Sequence, residues 1–283
     1  MISEKQSRAT CTRLSLLVTS LLCIGTSAWS QALPVGDETD DAWRYSITPY
    51  AYIPFSIEGT SVVAGTAVDL DLGFDDAIDL LDFALSGRFE AWNGDWGIIT
   101  DVYYVDLGLD GDADLPTPGG GEVGVDVDIT QKWFALMGSY RFAQGTHSNS
   151  NRRYAWDAAA GVRWNSIKQE VDADVDIGIG PGVQTTLGGT ETWWEPTFML
   201  RGVYEVGNDW TLGGRVELGG FGVNDDDLQY TVLFSADWQG WEKTSLSFGY
   251  VFLGIDYETE KSDGDFEYDI DQHGPFVGLT YRF

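Results

Sequence analysis

The chain has 283 residues, and its 45 acidic against 16 basic side chains give a formal net charge of −29. That excess excludes nucleic acid as a partner, because phosphate backbones would be repelled instead of neutralised. Beyond residues 14–24 no segment approaches the ~18 or more consecutive apolar residues of a membrane helix, so a span, if there is one, must be a closed barrel of strands.

Residues 1–30 read as an export signal. Lys5, Arg8 and Arg13 precede the apolar stretch Leu14–Ile24, and small residues follow in "TSAWSQA". Cleavage fits after Ser30 and after Ala32. Both cysteines, Cys11 and Cys23, fall inside this signal, so the exported chain carries no disulfide framework. Residues 31–42, rich in acids and ending "GDETDDA", read as a periplasmic lead.

From residue 43 to residue 283 the pattern is that of strands. Ten stretches alternate apolar and polar residues, near 43–55, 83–92, 96–107, 129–142, 153–166, 193–205, 209–222, 228–238, 242–255 and 272–283. Each is long enough for the ~9–11 residues that a tilted strand needs to cross a bilayer. The connections alternate between tight turns ("NGD", "VGND", "QGWEK") and mostly long acidic segments, which is the outer-membrane pattern of short periplasmic turns and long extracellular loops. Residues 56–82 read as the first such loop, with a short hairpin above the membrane and a helical turn at Asp75 to Leu81.

Aromatic residues supply a second ruler. Trp43, Trp92, Trp96, Tyr140, Tyr154, Trp156, Tyr204, Trp210, Trp238, Trp241 and Phe283 sit at the tight-turn ends. Phe55, Phe83, Phe134, Trp164, Trp194, Tyr230 and Phe252 lie about ten residues further along, the spacing of the two aromatic girdles of a membrane barrel. In the last strand Val277, Leu279, Tyr281 and Phe283 share one face, so Phe283 reads as an anchor in the lower girdle. The predicted class is all-β: a transmembrane antiparallel β-barrel of ten strands, with eight or twelve as the alternatives, and long acidic extracellular loops. The expected location is the cell outer membrane.

The segments "SITPYAYIPFSIEGT", "GGFGV", "LSFGY" and the final "GLTYRF" resemble a mostly uncharacterised, porin-like family of Gram-negative outer-membrane β-barrel proteins, over essentially the whole mature chain. The family's first strand reads Pro-Tyr-x-Trp-x-Pro-Gly, where this chain has Tyr52 and Phe55 in place of the tryptophan and the glycine. The resemblance implies the fold and the location. It brings no catalytic residues with it.

Charge is partitioned along the chain. The segments 56–82, 106–128, 168–193, 223–228 and 256–271 hold 30 acids against two lysines, Lys168 and Lys261. Within the spanning stretches, parity directs Arg44, Arg88, Arg163, Arg201, Arg215 and Arg282 inward, together with Glu90, Asp101, Asp157, Glu195, Glu217 and Asp237. Lys132 alone falls on the outer face, near enough to the upper interface to snorkel. Six bases facing six acids in a narrow barrel suggest paired networks, either as a structural polar core or lining a narrow pore. A wide general porin needs about sixteen strands and is disfavoured.

The expected function is therefore structural, or narrow passive solute passage. The alternatives are a surface protein that binds lipopolysaccharide or divalent cations through its loops, and an outer-membrane enzyme. Catalysis is not expected, because His147 falls in a polar turn and His273 on the outward parity, away from any lumenal nucleophile. The glycine runs "PGGGEVG" and "GPGV" lie between strands and lack the strand-to-helix setting of a phosphate cradle.

Acids also repeat with a period of two at Asp126 and Asp128, at Asp172, Asp174 and Asp176, at Asp256, Glu258 and Glu260, and at Asp269 and Asp271. Strand parity places all of them on the outer face just above the lipid. Oxygen ligands so arranged suit Ca²⁺ or Mg²⁺, while a generally acidic surface is the plain alternative. No other cofactor is expected. The expected partners are outer-membrane lipid, lipopolysaccharide and the barrel assembly machinery.

Overall fold

The computed structural model describes residues 42–63, 66–115, 121–176, 183–223, 226–259 and 266–283. The predicted signal, the lead before Ala42, and Glu260 lie outside these. In chain order the elements are β1 (Arg44–Tyr52), β2 (Ser56–Val63), β3 (Thr66–Gly73), α1 (Phe74–Asp79), β4 (Leu81–Asn93), β5 (Trp96–Leu115), β6 (Gly121–His147), β7 (Arg152–Asp176), β8 (Val183–Glu205), β9 (Trp210–Gly220), β10 (Asp226–Trp238), β11 (Thr244–Thr259) and β12 (Phe266–Arg282).

Ten of these strands, β1 and β4 to β12, pair antiparallel with their neighbours in sequence, and β12 returns to β1 to close a ring. The seam runs from Ser46 opposite Arg282 to Tyr52 opposite Phe276. Tyr45 and Phe283 extend it by exchanging both backbone hydrogen bonds, at 3.3 and 3.0 Å, and their rings stack at 5.7 Å. Closure leaves no free edge in this ring, which a barrel in lipid requires.

Of the two remaining strands, β2 continues the line of β1 upward along β12. Tyr52 opposes Phe276 and Ser56 opposes His273, so one extra residue is absorbed between them. That bulge falls at Ile53–Pro54–Phe55, where a proline, having no N–H to contribute, is tolerated. Gly274 makes the bulge possible, since a Cβ there would lie 2.1 Å from the Ile53 carbonyl oxygen. β2 and β3 then form the expected hairpin. The helical turn also forms, with the Asp76 carboxylate accepting the Gly73 N–H at 3.0 Å.

The ladders run further than the sequence pattern alone suggests. β6 has 27 residues and β7 has 25, well beyond the ~9–11 needed to cross a bilayer. Above the ring, β8 leaves β9 at Thr197 opposite Gly219, and β4 leaves β5 at Leu81 opposite Leu107. The ring thus opens into two sheets, β5 to β8 on one side and β10, β11, β12, β2 and β3 on the other. They pack face to face around Ile57, Ile167, Trp193, Leu253, Ile255, Tyr257, Phe266, Tyr268 and Ile270, all buried. Trp193 stacks on Tyr257 at 3.9 Å, and Ser61 donates to Gln169 at 2.8 Å across the gap. In β11 and β12, segments that read as acidic loops are strands because Leu253, Ile255, Tyr257, Tyr268 and Ile270 build an apolar interior while Asp256, Glu258, Asp269 and Asp271 face out.

Candidate functional site

Inside the ring the charged side chains meet in two linked groups. Arg201 bridges Glu90 at 2.7 Å and Asp157 at 2.8 Å, and Arg141 holds the other oxygen of Asp157 at 2.7 Å. The second group centres on Glu217, which takes Arg88 at 2.8 Å, Arg163 at 3.0 Å and Arg215 at 3.3 Å. Arg88 also reaches Asp101 at 2.8 Å, and Arg163 reaches Glu195 at 3.3 Å. Three of the carboxylates take further donors: Tyr50 and Trp133 on Asp101, Trp92 on Glu90 and Trp193 on Glu195. Such charge-assisted contacts offset the desolvation that a confined lumen imposes.

These bridges cross the lumen. In the ring order, β4, which carries Arg88, and β9, which carries Glu217, are on opposite walls, five strands apart. Nearer the turn end, Arg282 donates to Gln239 at 3.1 Å and Ser245 at 3.0 Å, Asp237 accepts from Ser235 and Ser247, and Arg44 donates to the Gly94 carbonyl oxygen at 3.2 Å.

Outside the ring the chemistry reverses. On β12, Val277, Leu279 and Tyr281 are exposed, and so are Leu136 and Phe134 on β6, Val162 on β7 and Phe198 and Leu200 on β8. Trp43, Trp96, Trp156, Trp210, Trp241 and Phe283 rim this band at the tight turns, and Phe55, Phe83, Trp194 and Phe252 rim it at the other end. A closed ring that is apolar outside, charged within and aromatic at both rims can be solvated only by a bilayer. It is an outer-membrane β-barrel.

No protein-family model matches the sequence, and no curated protein is similar to it. Among solved structures the barrel is similar to the outer membrane protease OmpT from Escherichia coli, at 12% identity over 88% of this chain and 99% of that one, with a TM-score of 0.46. It is also similar to the translocator domain of the autotransporter NalP from Neisseria meningitidis, at 13% identity over 87% and 90% of the two chains, with a TM-score of 0.36. Neisserial surface protein A is 11% identical over 85% and 97%, with a TM-score of 0.30. The assignment rests on the ring and its apolar band, and not on these likenesses.

Two residues are placed differently from the sequence reading. Trp92, expected in the lower girdle, is 1% exposed inside the lumen, where the guanidiniums of Arg141 and Arg201 lie 4.7 and 5.8 Å from its ring centre. It shares the parity of Glu90, and the cations over its face repay its burial. Arg141, absent from the expected lumenal set, is 3% exposed and shares the parity of Met137 and Ser139. Two acids also absent from that set are buried on the inward parity, Asp227 and Glu205, the latter paired with Arg153 at 2.7 Å. Lys132 does lie outward, its ammonium 5.1 Å from the Tyr104 ring centre.

Above the band the polarity of β11 and β12 inverts. On β11 the inward residues become Val251, Leu253, Ile255 and Tyr257, while Asp256 and Glu258 are exposed; on β12 Tyr268 and Ile270 point in, and Asp269 and Asp271 point out. Burial pushes the Tyr268 hydroxyl up to about 12, which keeps it neutral and compatible with that apolar interior. The register sets carboxylates directly opposite one another: Asp256 and Asp269, Asp271 and Glu58, and Asp126 and Asp172. Asp128 is exposed, and for Asp126, Asp174 and Asp176 the structure describes the backbone alone. Among the described residues, no group of three or more potential ligands is placed to hold a metal ion.

The histidines stand apart from the lumen. His273 faces outward, its Nδ1 2.6 Å from the Tyr250 hydroxyl and its ring against Phe252. The β11–β12 register is continuous through Pro275, so no bulge turns His273 inward. His147 ends β6 at the tight-turn end.

Proposed function

We propose that this protein is a structural, non-catalytic barrel whose lumen is shut, and which holds a rigid acidic extension above the outer leaflet. The observation that carries this reading is the pair of guanidinium bridges from β4, Arg88 to Glu217 and Glu90 to Arg201, which span the lumen from wall to wall. The apolar packing of the two sheets above supports it, because the buried cluster that includes the stacked Trp193 and Tyr257 lies over the charged layer. Passive passage would then need one of these layers to part. Recordings from purified protein in planar bilayers test this. The expected trace shows no standing conductance, and a persistent open level in the unmodified protein would instead establish the narrow pore.

A second reading concerns the outer face of the extension, and the strand register favours it. Like charges directly opposite on paired strands destabilise a sheet, and a hard divalent cation with oxygen ligands relieves that repulsion. We propose that Ca²⁺ or Mg²⁺ occupies the collar and bridges it to lipopolysaccharide phosphates. Calcium is then expected to raise the melting temperature at matched ionic strength near 0.15 M, where diffuse attraction is screened beyond ~8 Å. Asp256→Asn with Asp269→Asn should reduce that response more than Asp75→Asn with Asp79→Asn on α1. Equal losses would reduce the collar to general surface charge.

A further inference from the structure

Below the closing bridges, the side of the lumen formed by β9 to β12 and β1 is not filled. A cavity of about 140 Å³ lies there, partly open, and reaches the turn-side ends of β9, β10 and β12 at Thr211, Asp237 and Arg282. One water needs ~10–15 Å³ of such space, so the cavity holds considerably more than a single solvent molecule. Arg88, Arg201, Arg215 and Arg282 line it, against Glu90 and Asp237.

Two observations indicate what would fill it. The buried Nε of Arg215 has no hydrogen-bond partner among the described residues. Its one carboxylate, Glu217 at 3.3 Å, already takes Arg88 at 2.8 Å and Arg163 at 3.0 Å. Thr211 is 1% exposed, and its hydroxyl has no partner among the described residues. Around the cavity itself four guanidiniums face two carboxylates, a local positive excess although the whole chain carries −29. A cation would be repelled here, and a neutral solute would leave that charge uncompensated.

We propose that this cavity binds one small oxyanion of phosphate or sulfate size, entering from the periplasmic side. Arg215 is its main donor, with Arg282 and Thr211 beside it. Guanidinium groups match tetrahedral oxyanions through paired N–H donors, and the hydroxyl of Thr211 supplies the short neutral contact. The closed wall separates the cavity from the bilayer, so the occupant is a free anion and not a lipid headgroup. The site lies below the closing bridges and does not depend on the extension being shut.

Equilibrium dialysis of the full-length barrel in detergent against labelled phosphate, with chloride holding ionic strength constant, tests this. The expected result is saturable uptake approaching one phosphate per barrel, displaced by sulfate. Arg215→Gln should weaken it ~10-fold or more, the scale of a lost charge-assisted contact, while Lys132→Gln on the outer face leaves it unchanged. Slower migration of the boiled sample on a gel verifies that each variant is folded. Absence of saturable uptake, or unchanged affinity in folded Arg215→Gln, overturns the proposal. If Arg215→Gln does not assemble, Thr211→Val replaces it; a severalfold loss is expected, and unchanged uptake would again overturn the site.

Discussion

Arg201→Ala is expected to destabilise the barrel by about 3–5 kcal/mol, the cost of stranding a buried carboxylate. The two acids that Arg201 holds would not suffer equally. Asp157 keeps Arg141 at 2.7 Å, whereas the one hydrogen bond left to Glu90 is from the neutral Trp92 indole N–H at 2.9 Å. The loss should therefore trace to Glu90, and combining Arg201→Ala with Glu90→Gln should recover part of it, because a neutral amide is cheaper to bury than an unpaired charge. Urea unfolding of the purified barrel in lipid vesicles measures all three variants. If Arg201→Ala stays within about 0.5 kcal/mol of the unmodified protein, water already solvates the network and the lumen is wetter than its burial indicates.

The second large effect is expected at Trp193. Its ring lies on Tyr257 at 3.9 Å, with an interplanar angle of 11°, and its indole N–H reaches Glu195 at 3.3 Å. It therefore joins the two sheets of the extension to the top of the charged layer. Trp193→Ala should cost about 3–5 kcal/mol, as large-to-small changes at buried aromatics do. The loss should be local, since the ring of strands below has its own closed ladder. Limited proteolysis is expected to cut the extension of the variant while the barrel still migrates faster unboiled than boiled. An extension that stays resistant would mean the two sheets do not rely on this contact.

How far the sequence reveals this arrangement depends on the range of the interaction. Strand parity is local, and it places Arg88, Asp101, Asp157, Arg201 and Glu217 on the lumenal face without any knowledge of their partners. Arg141 is equally local: it lies two residues from Ser139 and four from Met137, and the flanking Tyr140 and Phe142 draw attention away from it. Trp92 shows one rule overriding another, since tryptophan near a turn suggests a girdle although Glu90, two residues earlier, fixes its face. The extension is different. Its alternation of valine and aspartate is visible, but a strand pattern becomes a sheet interior only when a second sheet covers it. Trp193 and Tyr257 meet across 64 positions of the chain, and no local pattern reports that.

The inversion of polarity along β11 and β12 also fixes how the protein sits in its host membrane. A barrel of uniform character can rise or sink by a residue to follow a thicker or thinner bilayer. Here, sinking would carry Asp256, Asp269 and Asp271 into hydrocarbon on adjacent strands together, while rising would lift Val277, Leu279 and Tyr281 toward water. Mismatch between protein and lipid must then be absorbed by the lipid, at fractions of a kcal/mol per Å. The bilayer around this protein should adopt the thickness set by its apolar band, so that each barrel is the centre of a patch whose thickness it dictates.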